Sequence, residues 1–181
     1  SIAQTVVNLY PANSLFGVYL GLNIDLKERG YRDTEIFYNT YLNSTKNYEA
    51  MMKGDFQNSA VSITIYSNME DPVYAPKGKS VVKLDAYSEI SMWPEDRAAY
   101  EALKAKKVDE LIALAAKVIP EIADPKNVVV KEGYTPRTIQ KYTMNQGGVV
   151  YGFELTPDQW EKVPNTTPVP NVMITSNWTQ A

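Results

Sequence analysis

The 181-residue chain contains no cysteine and no histidine. Without them it cannot supply a Ser-His-Asp or Cys-His nucleophilic pair, a thiolate, or the common zinc and haem ligand sets, so no metal site is expected. Chemistry is left to carboxylates, lysine, tyrosine, backbone amides or a cofactor. A disulfide scaffold is equally excluded, and the lack of cysteine favours a cytoplasmic location. Long apolar runs are also missing: none reaches the ~18 residues of a bilayer span, and no charged segment followed by an apolar one opens the chain as a secretory signal would. Nor is there a surplus of positive charge. The balance of 18 basic against 21 acidic residues gives a net charge of −3, which argues against a nucleic-acid partner, since phosphate recognition needs a clustered basic surface. The densest basic group, Lys104, Lys106 and Lys107, reads as the solvated face of a helix.

What is present begins with a length suited to one domain that buries roughly 70% of its unfolded surface. Both termini are abrupt, with Ser1 at the start and Ala181 close behind a strand-like run, which suggests a piece of a longer protein. Alternation marks three strands. Val18, Leu20, Leu22 and Ile24 share one face against Tyr19, Gly21 and Asn23. Val61, Ile63 and Ile65 oppose Ser62, Thr64 and Tyr66. Val82, Leu84 and Ala86 carry the third, and the second and third are expected to pair antiparallel across the turn-rich stretch at Asp71-Pro72 and Pro76-Lys77-Gly78. Between the first two, a Tyr- and Asn-rich segment holds a short helix around Tyr48 to Lys53.

Pro94, Glu95 and Asp96 form a helix opening, and helix formers continue from Glu95 to Ile119 until Pro120 closes the run. One long helix is expected, with a break near Lys106-Lys107 as the alternative. Further strands are expected at 128–130, 149–153 and 172–175, with a short helix over 138–143. Strands grouped apart from one dominant helix predict an α+β fold: a mixed, largely antiparallel sheet with one long helix and short helices.

Two phosphate-binding motifs fail on inspection. Gly78-Lys79-Ser80 ends like a P-loop, but position 73 holds valine instead of glycine and Pro76 removes a needed amide. Gly147-Gly148-Val-Val-Tyr-Gly152 has the wrong glycine spacing for a dinucleotide fingerprint. The adjacent acids Glu70-Asp71, Glu95-Asp96 and Asp109-Glu110 do not converge on a helix and read as turn or helix-end charge. Outward strand tyrosines such as Tyr19 and Tyr66 either line an apolar cleft or are half-buried packing with a wet hydroxyl.

The strongest signal runs from Glu132 to Phe153. Pro136 forces Thr135 out of helical geometry, leaving a hydroxyl there to cap the following helix. Gly147-Gly148 then allows backbone approaches that no side chain permits, either past a flat ring or in a tight helix-to-strand connection. This stretch, with Thr135-Pro136, Thr138, Tyr142-Thr143, Asn145, Gly148 and Tyr151-Gly152, resembles a pattern of the FAD-dependent phytoene desaturase, carotenoid isomerase and retinol saturase family of flavin amine-oxidase-like enzymes. Val18 to Leu22, Tyr100 to Lys104, Val118 to Pro120, and Thr167 to Gln180 are similar to other stretches of that family in the same order.

The resemblance implies that residues 1–181 are a single substrate-binding domain fragment whose residues 170–181 approach the C-terminal flavin motif, with an N-terminal Rossmann FAD domain outside this chain. It implies FAD as the parent's cofactor and an apolar, isoprenoid-type small-molecule substrate. Hydride transfer would be the reaction, with peripheral membrane contact of the parent. Tyr142, Asn145, Gly147, Gly148, Tyr151 and Gly152 would form the substrate or flavin wall, and Asn177, Trp178 and Thr179 would lie beside the flavin. No general base is named, and the fragment alone is expected to be inactive. Two departures stand out: Thr175-Ser176-Asn177 replaces the family's Ala-Gly-Asp, and Ala181 replaces a proline. The rival reading is a non-catalytic small-ligand or partner-binding α+β module.

Overall fold

A computed structural model describes residues 9–69, 74–154, 156–157 and 163–179. The Glu70-Asp71 pair, the Asp71-Pro72 turn, Val73, Gln180 and Ala181 lie outside the described residues. The fold is α+β. Five strands, β1 (Ser14–Leu22), β2 (Glu35–Asn39), β3 (Ala60–Ile65), β4 (Ser80–Ser88) and β5 (Val128–Tyr134), form one sheet in the order β2-β3-β4-β1-β5. Every pairing between them is antiparallel. Among the described residues three helices accompany it: α1 (Ser44–Met52), α2 (Arg97–Ala115) and α3 (Pro136–Thr143).

The alternation seen in the sequence decides which side of the sheet is dry. Phe16, Val18, Leu20 and Leu22 of β1, Val61, Ile63 and Ile65 of β3, and Val82, Leu84 and Ala86 of β4 are all buried. They face Val108, Leu111, Leu114 and Ala115 of α2, which packs against the central strands. The aromatic heart of this layer is Phe16, whose ring lies 4.8 Å from that of Phe56 and 5.1 Å from that of Trp93. Trp93 is buried, and its indole N–H donates to Ser88 Oγ at 3.0 Å, so its one polar atom is satisfied.

Several expectations are refined. β1 begins at Ser14, β5 extends to Tyr134, and β2 is an additional strand inside the Tyr- and Asn-rich segment. Tyr66 opens a 3₁₀ turn in place of ending a strand, and its ring stacks on Tyr74 at 5.5 Å. Helix α2 is continuous through Lys106-Lys107; Asp96 caps it by accepting from the Ala99 amide at 2.8 Å, and it ends at Ala115, before Pro120. The acids of the Asp109-Glu110 pair turn to different cations, Lys131 and Lys107.

The strands expected at 149–153 and 172–175 are corrected. Among the described residues only isolated bridges occur there, Ser14 with Val149, Pro11 with Phe153, and Thr166 with Met173. Gly147, Gly148, Gly152 and Asn171 all have positive φ, which breaks the extended conformation a ladder needs.

Candidate functional site

The second face of the sheet is open, and strand register places its side chains in two rows. One row runs Phe37, Ser62, Asp85, Gly17, Tyr134 across β2, β3, β4, β1 and β5; the next runs Glu35, Thr64, Lys83, Tyr19, Glu132. Tyr19, Phe37 and Tyr87 keep 41%, 74% and 37% of their surface exposed.

At the centre sits a polar cluster. Lys83 Nζ meets Asp85 Oδ2 at 2.8 Å with both side chains largely buried. The same ammonium lies 5.8 Å from the Tyr19 ring centre and 5.6 Å from that of Tyr134, a cation–π arrangement on two faces. The Tyr134 phenol donates to Asp85 Oδ1. It reaches that oxygen across Gly17, where a Cβ would fall 2.5 Å from Asp85 Oδ1 and 2.6 Å from Tyr134 Cζ. The Leu84 carbonyl oxygen lies closer still, at 2.4 Å, so the glycine in β1 is required by the backbone of β4 as well as by the contact between its two neighbours in the row.

Burial lowers the Lys83 pKa, but the hydrogen bond and charge of Asp85 outweigh it, so the net shift is upward. Asp85 is also shifted up, because burial outweighs the pull of Lys83, with a further push from Glu35. The 2.8 Å contact and the phenol donor decide for an ionised pair, with Asp85 bearing the larger desolvation cost.

Beside this cluster the face forms a cleft of about 350 Å³. Glu35, Asn39, Ser62, Thr64 and Asp85 are among its polar lining residues, with Phe37, Tyr87 and Tyr151 among its aromatic ones. The Ser62 hydroxyl donates to Glu35 Oε1, and Thr64 Oγ1 donates to Oε2 at 2.7 Å. Tyr151 enters from the C-terminal region, 56% exposed, its phenol pKa raised by burial and then by Tyr87 and Asp85. The size and the mix of rings with a few polar groups are those of a small-molecule site.

The Thr135-Pro136-Arg137 motif proves to be scaffolding. Thr135 is fully buried, caps α3 in a reciprocal capping box with Thr138, and lies 2.9 Å from the Tyr100 hydroxyl. Arg137 donates twice to the Trp93 carbonyl, at 2.9 and 2.8 Å. The start of α2 and the start of α3 are thus joined to one another.

The sequence-predicted wall residues divide into two groups. Asn145, Gly152, Asn177 and Trp178 come together: Trp178 Nε1 donates to Asn145 Oδ1 at 2.9 Å, Asn177 Nδ2 donates to the Val150 carbonyl at 3.2 Å, and the Trp178 ring meets Phe153 edge-on at 4.8 Å. Thr179 is buried and bonds to Ser176, closing that turn. Tyr142 stands out from α3, 77% exposed, with the Lys141 ammonium over its ring. The close approaches at the glycines are to this chain's own backbone: a Cβ on Gly148 would lie 2.0 Å from the Pro136 carbonyl oxygen, and one on Gly152 2.0 Å from that of Asn177. Around Gly147 there is open space up to Val149 at 3.8 Å. The pairing of Glu35 with the Ser62 and Thr64 hydroxyls has no signal in the sequence, because strands β2 and β3 bring them together from 27 and 29 residues away.

No protein-family model matches the chain, and no curated protein matches it. Among the described residues no helix is long and apolar enough to cross a membrane.

Proposed function

We propose that this chain is the substrate-binding domain of an FAD-dependent oxidoreductase similar to the phytoene desaturases, with the open sheet face as its substrate wall. The observation that carries the reading is the meeting of two resembling stretches. Residues 145–152 and 176–179 interlock through Asn145, Trp178, Asn177 and Val150, and Tyr151 of the first stretch also lines the cleft.

What these stretches would offer a cofactor is a neutral surface in place of paired charges. No acid or base occurs in 145–152 or 176–179, and the N–H groups of Asn177 and Trp178 are engaged within the chain. These residues would hold a wall in shape, with Tyr151 and Asn177 exposed on it. The chemistry such a cofactor supplies is hydride transfer at flavin N5. The chain's own part is to bind and orient the substrate against that wall and to keep water away from it.

The test is the absorption spectrum of the intact protein encoded by the complete reading frame. Flavin bands, and FAD released on denaturation at about one per chain, are the expected result. A colourless product that takes up no added FAD would overturn the reading and favour a ligand-binding module without redox chemistry.

A further inference from the structure

The two edges of the sheet are finished differently. β5 is guarded: Lys131 pairs with Asp109 at 3.1 Å and Glu132 with Lys104 at 3.6 Å, both on α2, and the ladder to β1 shifts register at Gly21/Leu22. Charges and irregularities of this kind keep an edge from pairing with another chain. β2 has no such guard. Its five residues run in unbroken register with β3, include no proline and no lysine, and carry one charge, Glu35, at the end. Among the described residues no further strand lies beyond it. The bonds that flank the ladder show which backbone groups are left over. Ile65 N donates to Thr34 O at 2.8 Å and Thr40 N to Ser59 O at 3.1 Å. Even-numbered positions from 34 to 40 therefore exchange bonds with β3, and Glu35, Phe37 and Asn39 point their N–H and C=O groups outward.

The side chains of these three residues are unspent as well. Phe37 is 74% exposed and has no ring partner among the described residues. Asn39 Oδ1 accepts from Asn47 Nδ2 at 3.4 Å, which leaves the Asn39 amide N–H groups to donate elsewhere. Glu35 accepts from Ser62 and Thr64 but has no cation within ion-pair distance among the described residues, and its oxygens retain acceptor sites. We infer that β2 is the interface between two copies of this chain, joined antiparallel about a two-fold axis that passes through Phe37 perpendicular to the sheet. That axis sets Phe37 against the partner's Phe37, Glu35 against the partner's Asn39, and Ile36 against the partner's Tyr38. Ring meets ring, the carboxylate meets amide donors, and every outward N–H and C=O of 35, 37 and 39 finds a partner. The strand's own sequence selects this register: centred on Glu35 the pairing opposes two carboxylates, and centred on Ile36 it sets Glu35 against a phenylalanine ring. Leu42, fully exposed just past the strand, comes to lie beside the partner's segment ahead of β2. The partner's Phe37 and Asn39 border the cleft that Glu35 lines, and both open faces share one side of a sheet with five strands from each copy.

The inference needs neither FAD nor hydride transfer, so flavin content and assembly are judged separately. Sedimentation equilibrium of the intact protein at micromolar concentration should give twice the mass of one chain. Phe37→Lys, which sets two ammonium groups face to face at an exposed position, should weaken association at least about tenfold while the circular dichroism spectrum stays unchanged. Register is read by crosslinking, since residues 1–181 hold no cysteine. Opposed Cα atoms in a hydrogen-bonded antiparallel pair stand about 5.5 Å apart, within the reach of a disulfide. Phe37→Cys should therefore link two copies on mild oxidation, with the joined peptides identified by mass spectrometry. Asn39→Cys should not, because its two copies stand roughly 15 Å apart in this register. A dimer that Phe37→Lys leaves intact, or crosslinking through Asn39→Cys as readily as through Phe37→Cys, would overturn the inference. So would a monomer, and protection of 35–39 from hydrogen exchange in that monomer would show the edge taken by another segment of the same protein.

Discussion

At the scale of single residues, the glycines carry the most information, because two with similar φ values do different things. Gly148 (φ 66°) lies against the Pro136 carbonyl, whereas Gly78 (φ 75°) has nothing within 4 Å of where a Cβ would stand. An alanine pays the left-handed backbone cost at both, about 1–2 kcal/mol, but meets backbone atoms only at 148. We expect Gly78→Ala to lower stability by about 1 kcal/mol and Gly148→Ala by at least about 3 kcal/mol, read from urea midpoints at constant slope. Equal losses would mean that the Gly148 and Pro136 backbones do not touch. The sequence announces that Gly147-Gly148 is special, but not whether a ligand or the chain itself makes the close approach. Gly17 is less legible still: its role depends on Asp85 and Tyr134, which the register of two other strands brings to either side of it.

At the scale of elements, β1, β3 and β4 are readable because their buried large apolar residues recur at every second position, even where Gly17 and Thr64 between them are buried too, a consequence of having one dry face. β2 escapes notice because Glu35-Ile36-Phe37-Tyr38-Asn39 places a large aromatic ring on each face and is only five residues long. The runs at 149–153 and 172–175 have strand composition but lack strand geometry, since positive φ at Gly152 and Asn171 turns them away from any continuous ladder. Helix boundaries follow from their caps, and the two caps differ in how much rests on them. Asp96 is an exposed cap with one bond to the Ala99 amide, so Asp96→Ala should cost about 1 kcal/mol. Thr135 caps α3 and also meets Tyr100 in a fully buried position, so Thr135→Ala should cost more, about 2–3 kcal/mol. Thermal melts of the two variants check the order; a larger loss for Asp96→Ala would contradict the scaffolding role given to the 135–138 motif.

At the scale of the whole molecule, one sheet separates two jobs. Its dry face, packed on α2, holds the molecule together, and its open face carries the rings, the Lys83–Asp85–Tyr134 cluster and the cleft. The absence of histidine and cysteine leaves this face without an imidazole or a thiolate, so its chemistry is that of tyrosines, hydroxyls, carboxylates and Lys83. The interlock of 145–152 with 176–179 then places Tyr151 at the border of the cleft, where a ring cofactor and a substrate would have to meet. The measurement that tests this most directly is backbone hydrogen exchange of the intact protein with and without FAD. The account predicts slowed exchange in 145–152 and 176–179, with α2 unchanged. Exchange that is unaltered in both stretches, or slowed only on the α2 side of the sheet, would contradict it.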